Sequence, residues 1–257
     1  MKIKFTILGS GYSLGVPRAD GYWGECNPKE KKNYRTRCSA FIQSNIKNII
    51  IDTSPDIRQQ LIKNNIKNID CALFSHKHGD QIHGINDLRV FSLKSNQKIP
   101  IFADLETGNY LKNNFSYCFN NSPGYKAILE LHLLKKKFSF KKNGKSISIR
   151  SIPVQHGKIL SQSFIINRSC GYVSDANEIF SKDLNFFKNL KYLVIDCLRF
   201  NKHPSHFSLD EVIKIKEYLK PKKTILTNMN NEMDYNHLLK ILPKTIVPGY
   251  DGMSFYI

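Results

Sequence analysis

Short runs of apolar residues recur along the chain at spacings that suit β-strands. They lie at Ile3 to Leu8, Ile49 to Asp52, Cys71 to Phe74, Ile99 to Phe102, Ser146 to Ile152, Phe164 to Ile166, Tyr192 to Ile195, Thr224 to Leu226 and Ser254 to Ile257. Helical periodicity falls between several of them. Ser54-Pro55 is a cap and first-turn pair for a helix with Ile57, Leu61 and Ile62 on one face. Ser208-Leu209-Asp210-Glu211 fits the S-x-x-E capping box and leads into Val212, Ile213, Ile215 and Leu219. Asn143-Gly144 predicts a tight hairpin turn. No linker or internal repeat divides the pattern, so the expectation is one domain over 1–257, an α/β chain with two packed sheets and helices outside.

Composition narrows the partners more than the fold. The 257 residues carry 39 Lys and Arg against 21 Asp and Glu, a formal charge of +18. Such a field favours anionic ligands without specifying one. Lys dominates the cations and Ile and Asn are frequent, which is as much a codon bias as a nucleic-acid surface. The densest run is Lys135-Lys136-Lys137, continued by Lys141, Lys142 and Lys145, with Phe138 and Phe140 between. A solvated hairpin with both rings on one buried face is the simpler reading; phosphates on the lysines and bases stacked on the rings is the other. No apolar stretch nears the ~18 residues of a membrane span, so no membrane partner and a cytoplasmic location are expected. Cys26, Cys38, Cys71, Cys118, Cys170 and Cys197 are scattered without a C-x-x-C pair, which predicts neither disulfides nor a cysteine zinc site.

Gly9-Ser10-Gly11 through Gly15-Val16-Pro17 follows the first strand but is no dinucleotide loop. Its third glycine comes one place late, and a proline stands where the phosphate-binding helix should open. The segment that carries chemistry is Ser75-His76-Lys77-His78-Gly79-Asp80-Gln81. Residues two apart on extended chain project to one side, so His76 and His78 can face one ion, with Asp80 following from the turn. Six of the eight histidines (76, 78, 83, 156, 203 and 206) fall in three short segments.

At this segment the chain resembles the metallo-β-lactamase superfamily, whose signature is H-x-H-x-D-H. The resemblance is nearest to its phosphodiesterase branch, which includes the carbon–phosphorus lyase accessory phosphodiesterase and, further off, the 3′-tRNA-processing ribonuclease. Matching segments are the opening glycine loop, Ile51 to Asp56, the His76 segment, Asn86 to Arg89, Val154 to Gly157, Val173-Ser174-Asp175, His203-Pro204-Ser205-His206 and Tyr250-Asp251-Gly252. The resemblance implies a four-layer αββα sandwich. It also implies two adjacent metals, with His76, His78 and His156 on the first, Asp175 bridging, and Asp80 on the second. The chain departs at Gln81 and Asn228, which stand where two second-site histidines are expected. Both losses strike the same metal. The expectation is therefore one ion, zinc or else manganese or iron, at the first site. The second site would be empty or a weak oxygen-lined position for magnesium or manganese.

The implied activity is a metal-dependent hydrolase, a phosphodiesterase acting on a small cyclic or nucleotide-like diester. Asp80 would orient or deprotonate the attacking water, and His206 would protonate the leaving group or stabilise the transition state. Asp52 is expected to hold the far nitrogen of a ligating histidine, His203 is balanced between a supporting and an incidental role, and His83 is read as structural. Arg89 and Asp87 would pair with each other or touch phosphate. The expected partner is a small anionic substrate, with RNA less favoured and a homodimer left open. The alternatives are a thioester or lactone hydrolase, and a non-catalytic metal or nucleotide binder with a degraded second site.

Overall fold

The computed structural model describes residues 2–257. The first sheet takes β1 (Lys4–Gly9), β2 (Ser39–Gln43), β3 (Ile49–Ile51), β4 (Cys71–Leu73), β5 (Ile99–Ala103) and β6 (Leu129–Leu133) in that order. The second takes β7 (Lys137–Lys142), β8 (Lys145–His156), β9 (Ile159–Ile166), β10 (Cys170–Val173), β11 (Tyr192–Asp196), β12 (Lys223–Thr227) and β13 (Ile246–Pro248). Last in the chain, β14 (Ser254–Tyr256) returns to pair with β1. In both sheets the strands from the third or fourth onward run parallel, β3 to β6 and β10 to β13. The helices that cross over between them are α1 (Ile57–Lys63), α2 (Gly79–Ile82), α3 (Arg89–Ser95), α4 (Leu105–Asn114), α5 (Ser116–Phe119), α6 (Leu209–Leu219) and α7 (Tyr235–Ile241).

Three apolar clusters produce four layers. Phe5, Ile7, Ile49 and Ile51 of the first sheet meet Ile147, Ile149, Phe164 and Ile166 of the second, while the intervening Ile50 turns the other way. A period of two thus places one set between the sheets and the other under helices. Ile50, Ala72 and Ile101 lie beneath Ile57 and Leu61 of α1, Phe91 of α3 and Leu111 of α4. On the far side Val173, Leu193, Ile195 and Leu226 lie beneath Leu209, Val212 and Leu219 of α6 and Leu238 of α7. Each such fully buried side chain contributes about 1.5–3 kcal/mol from removal of apolar surface. The predicted αββα sandwich is the observed fold.

Several local expectations hold and several need correction. The capping box at Ser208 forms, with Glu211 accepting from its backbone and hydroxyl at 2.9 and 2.6 Å. Asn143 and Gly144 both take positive φ (49° and 71°), and Lys142 pairs with Lys145 across the turn. At the first helix the cap is Asp56 rather than Ser54, and Ile62 is 64% exposed, because 100° per residue carries it off the face that Ile57 and Leu61 share. Strands β2, β6, β10 and β13 are not evident in the apolar pattern; each is short and takes its burial from neighbours. Phe138 and Phe140 pack, half-buried, against the cluster between the sheets, as the simpler hairpin reading expects.

Candidate metal centre

The chemistry-bearing residues sit where strands end. His76 follows β4, His78 precedes α2, His156 closes β8, Asp175 follows β10, Asp196 closes β11 and Asn228 follows β12. Parallel strands whose carboxyl ends share one edge place these residues on one rim. There His76, His78 and His156 converge, with ring centroids 4.5, 5.0 and 5.1 Å apart pairwise. One ligand nitrogen from each lies within 4.8 Å of the others. A second group within the same span joins His156 to Asp175 and His206. The three imidazoles expected to share an ion are thus brought together. Asp175 adjoins them through His156, and Asp80 lies on the cleft wall outside both groups.

Supporting contacts decide which nitrogen each ring presents. Nδ1 of His156 donates to the Ser205 carbonyl at 2.7 Å, which directs Nε2 inward to 3.3 Å from Nδ1 of His78. Nδ1 of His76 meets the hydroxyls of Ser75 at 3.0 Å and Ser161 at 3.4 Å. Its Nε2 is buried with no protein partner. Such an orphan is costly unless something else coordinates it. Burial first, and then their mutual proximity, lowers the pKa of all three; for His156 the His206 ring is the main neighbour. Three neutral imidazoles with lone pairs converging in a cleft fit a divalent cation.

The second position is built differently. The amide of Gln81 donates to Oδ2 of Asp175 at 3.1 Å and to Oδ2 of Asp80 at 3.2 Å, and the amide of Asn228 donates to Oδ1 of Asp175 at 3.1 Å. Both amides present N–H toward the carboxylates, the orientation that the negative charge demands. The amide nitrogens stand where the family pattern has imidazole lone pairs, and Oε1 of Gln81 is left buried without a partner. The three imidazoles fit the first ion, while at the second position amides replace the two imidazoles of the family pattern. Burial first, and then Asp80, pushes the Asp175 carboxyl well up.

Asp196, which no sequence motif marks, is fully buried and lies 2.7 Å through Oδ2 from Nδ1 of His206. Burial opposes charge on this ring, but the Asp196 carboxylate, with Asp175 and Asp80, outweighs it and raises His206 to about 9. The Asp196 carboxylate thereby favours the protonated form of His206, which stands beside His156 with ring centroids 4.7 Å apart. Asn228 also comes within 3.2 Å of the same Nδ1, a contact between two donors once the proton faces Asp196.

Asp52, contrary to expectation, does not reach a histidine ring. Its Oδ1 accepts from the Ser75 backbone amide at 2.7 Å, so it shapes the turn that carries His76. Nδ1 of His203 accepts from the Ser205 hydroxyl at 3.1 Å, bracing the residue whose carbonyl holds His156. His83 packs edge-on against Phe115. Arg89 stacks on Tyr125 at 4.3 Å and lies with Asp87 on a different, helix-lined cavity, away from the histidines. All six cysteines are buried free thiols.

The cleft over the histidines measures about 410 Å³ and is walled by Tyr12, Ser13, Leu198, Arg199 and Asn230 besides the site residues. Tyr12 and Ser13 come from the glycine loop, which therefore borders the site. Gly11 permits that approach: a Cβ there would come within 2.8 Å of the Arg35 carbonyl. Asp196, Arg199 and Asn230 lie outside any linear motif, and Ser205 lies within the His203 to His206 segment, which does not mark it as a contact of His156. The available signal for Asp196 was an acid at the end of an apolar strand.

Known proteins resemble this chain along its whole length. The family model described as a beta-lactamase superfamily domain matches residues 47–229. A crystal structure of a diphosphatase from the PhnP family superposes with a TM-score of 0.90 at 29% identity, covering 100% of this chain and 98% of that one. Zinc-bound PqqB from Methylobacterium extorquens superposes at 0.76 with 14% identity over 98% and 99% of the two chains, a likeness of fold alone. An octanoyltransferase of Porphyromonas gingivalis (strain ATCC BAA-308 / W83) is 27% identical over 99% of this chain, yet the chain spans only about half (52%) of its length. With the αββα layers and the converging histidines, the matched model settles the family: the chain belongs to the beta-lactamase superfamily, its resemblance running to the PhnP branch.

Proposed function

We propose that the protein is a metal-dependent hydrolase of a small phosphodiester, working with a single ion on His76, His78 and His156 with Asp175 beside it. The observation that carries this reading is the orphaned, fully buried Nε2 of His76 among three imidazoles held neutral. A divalent cation there supplies Lewis acidity that acidifies water and polarises a phosphoryl oxygen. Zinc suits three nitrogens best, with manganese or iron next. Asp80, on the cleft wall, orients and deprotonates the water. His206, cationic through Asp196, protonates the leaving oxygen or neutralises charge on the equatorial ones. Arg199 adds a second positive charge to the wall, and the polar lining suits a compact anion. The diphosphatase likeness supports phosphoryl chemistry.

A thioester hydrolase is the second reading, favoured by the octanoyltransferase relative. Against it, Leu198 and Tyr12 offer little apolar wall for an eight-carbon chain. Assay of the metal-replete protein on aryl phosphodiesters, a diphosphate and an octanoyl thioester tests both. Turnover of the phosphodiester that vanishes on His78→Ala is expected. Thioester turnover alone would replace the first reading with the second, and no turnover of any would leave a binding protein.

A further inference from the structure

On the outer face of the second sheet, beyond the cover of α6, lies a cavity of about 560 Å³ that plays no part in the proposed reaction. Four cations line it: Lys137 of β7, Arg150 of β8, Arg168 in the turn after β9, and Lys188 before β11. No acidic side chain lines it, and none of the four makes an ion pair among the described residues. Lys137 and Arg150 are direct cross-strand partners on one face. Like charges placed opposite each other destabilise a sheet, and Arg150 and Lys188 are half-buried, where that repulsion is less screened. Asn185 and Asn189 add amides to the wall. Phe186 offers an aromatic ring that is 42% exposed, with the Arg150 guanidinium 4.1 Å over it.

We infer that this cavity is a binding site for a small molecule carrying two or more linked phosphates. Four cations without a carboxylate partner, of which Arg150 and Lys188 rest on the rings of Phe186 and Tyr218, surround a cleft of ligand size and match the three or four negative charges of a diphosphate or triphosphate. With one side of its ring under Arg150, Phe186 offers the rest of its exposed surface to a base when the phosphates belong to a nucleotide. The site is separate from the histidines: Arg150 and His156 stand six residues apart on β8, about 20 Å along an extended strand. The inference is therefore independent of which reaction the metal centre performs. The basic β7 to β8 hairpin contributes through Lys137, whereas its phenylalanines face the core.

Titration calorimetry with ADP, ATP and pyrophosphate on the full chain tests it, in wild type, in Arg168→Asn, in Arg150→Gln and in His78→Ala. Arg168 has φ of 52°, a conformation asparagine adopts readily, so its replacement removes charge without straining the turn. Each substitution should weaken binding about tenfold, the worth of one charge-assisted hydrogen bond. Hydrolytic activity at the histidine site should be unchanged. A Phe186→Ala variant that weakens ADP but not pyrophosphate identifies a nucleotide as the source, and one that changes neither identifies free polyphosphate. The inference is overturned by absence of binding, by equal affinity in wild type and Arg168→Asn, by binding lost only in His78→Ala, or by preference for an oligonucleotide over all three small ligands.

Discussion

Nδ1 of His206 lies 2.7 Å from Oδ2 of Asp196, a carboxylate with no solvent exposure, and the same oxygen accepts the Ala176 amide at 2.9 Å. One carboxylate oxygen thus holds both the charged ring and the backbone beside Asp175. Replacing Asp196 by Asn keeps the size but removes the charge that makes His206 cationic. The hydrolytic turnover proposed above should fall by about 100-fold, with kcat affected more than KM and the circular dichroism unchanged. Equal kcat in wild type and variant would remove His206 from the proposed chemistry.

Metal content follows from the two donor sets. Protein purified without added metal should hold one equivalent by elemental analysis, and His78→Ala should lose it. The Gln81→His, Asn228→His double variant replaces two N–H donors by imidazole lone pairs and should approach two equivalents. Two tightly held equivalents in the wild type would contradict the single-ion reading.

Arg35 is 1% exposed and has no carboxylate partner; its guanidinium meets the carbonyls of Asn230 and Met233 at 3.2 and 2.6 Å and the Asn33 amide oxygen at 3.2 Å. It ties the strip that follows the glycine loop to the loop carrying Asn230, on the cleft wall. Arg35→Met should cost about 2–4 kcal/mol in urea unfolding, since buried carbonyls lose a charged donor.

Asp234 supplies a pH signature away from the histidines. Burial pushes its carboxyl up, but the backbone amides of His237 and Asn27 and the side chain of Asn33 outweigh that and lower it. A group whose folded pKa is depressed adds stability that is present above its unfolded value, about 3.9, and is lost as pH falls through the folded value. Wild type should therefore lose more stability than Asp234→Asn between pH 5 and pH 3, read as the difference in urea midpoints at each pH. Parallel curves for the two proteins would show that the cap contributes no pH dependence.

Local rules along the chain suffice for two packed sheets with helices outside and for the His76 and His78 pair, while the αββα order and the place of His156 come from the family resemblance. A period of two along Phe5 and Ile7 or Ile49 and Ile51 is enough to assign faces, and His76 and His78 share a side through the same geometry. Ile62 obeys the same kind of rule, since 100° per residue carries it off the face that Ile57 and Leu61 share and leaves it exposed. What only the tertiary structure decided is how distant residues meet. Asp196 finds His206, Ser205 fixes the ring of His156, and Gln81 and Asn228 close on Asp175 from separate loops. In the same way Lys137, Arg150, Arg168 and Lys188 become one cavity wall. Such meetings depend on which strand ends share a rim and which sheet face is left bare, and those are settled by the packing of whole layers, a property that no single stretch of sequence contains.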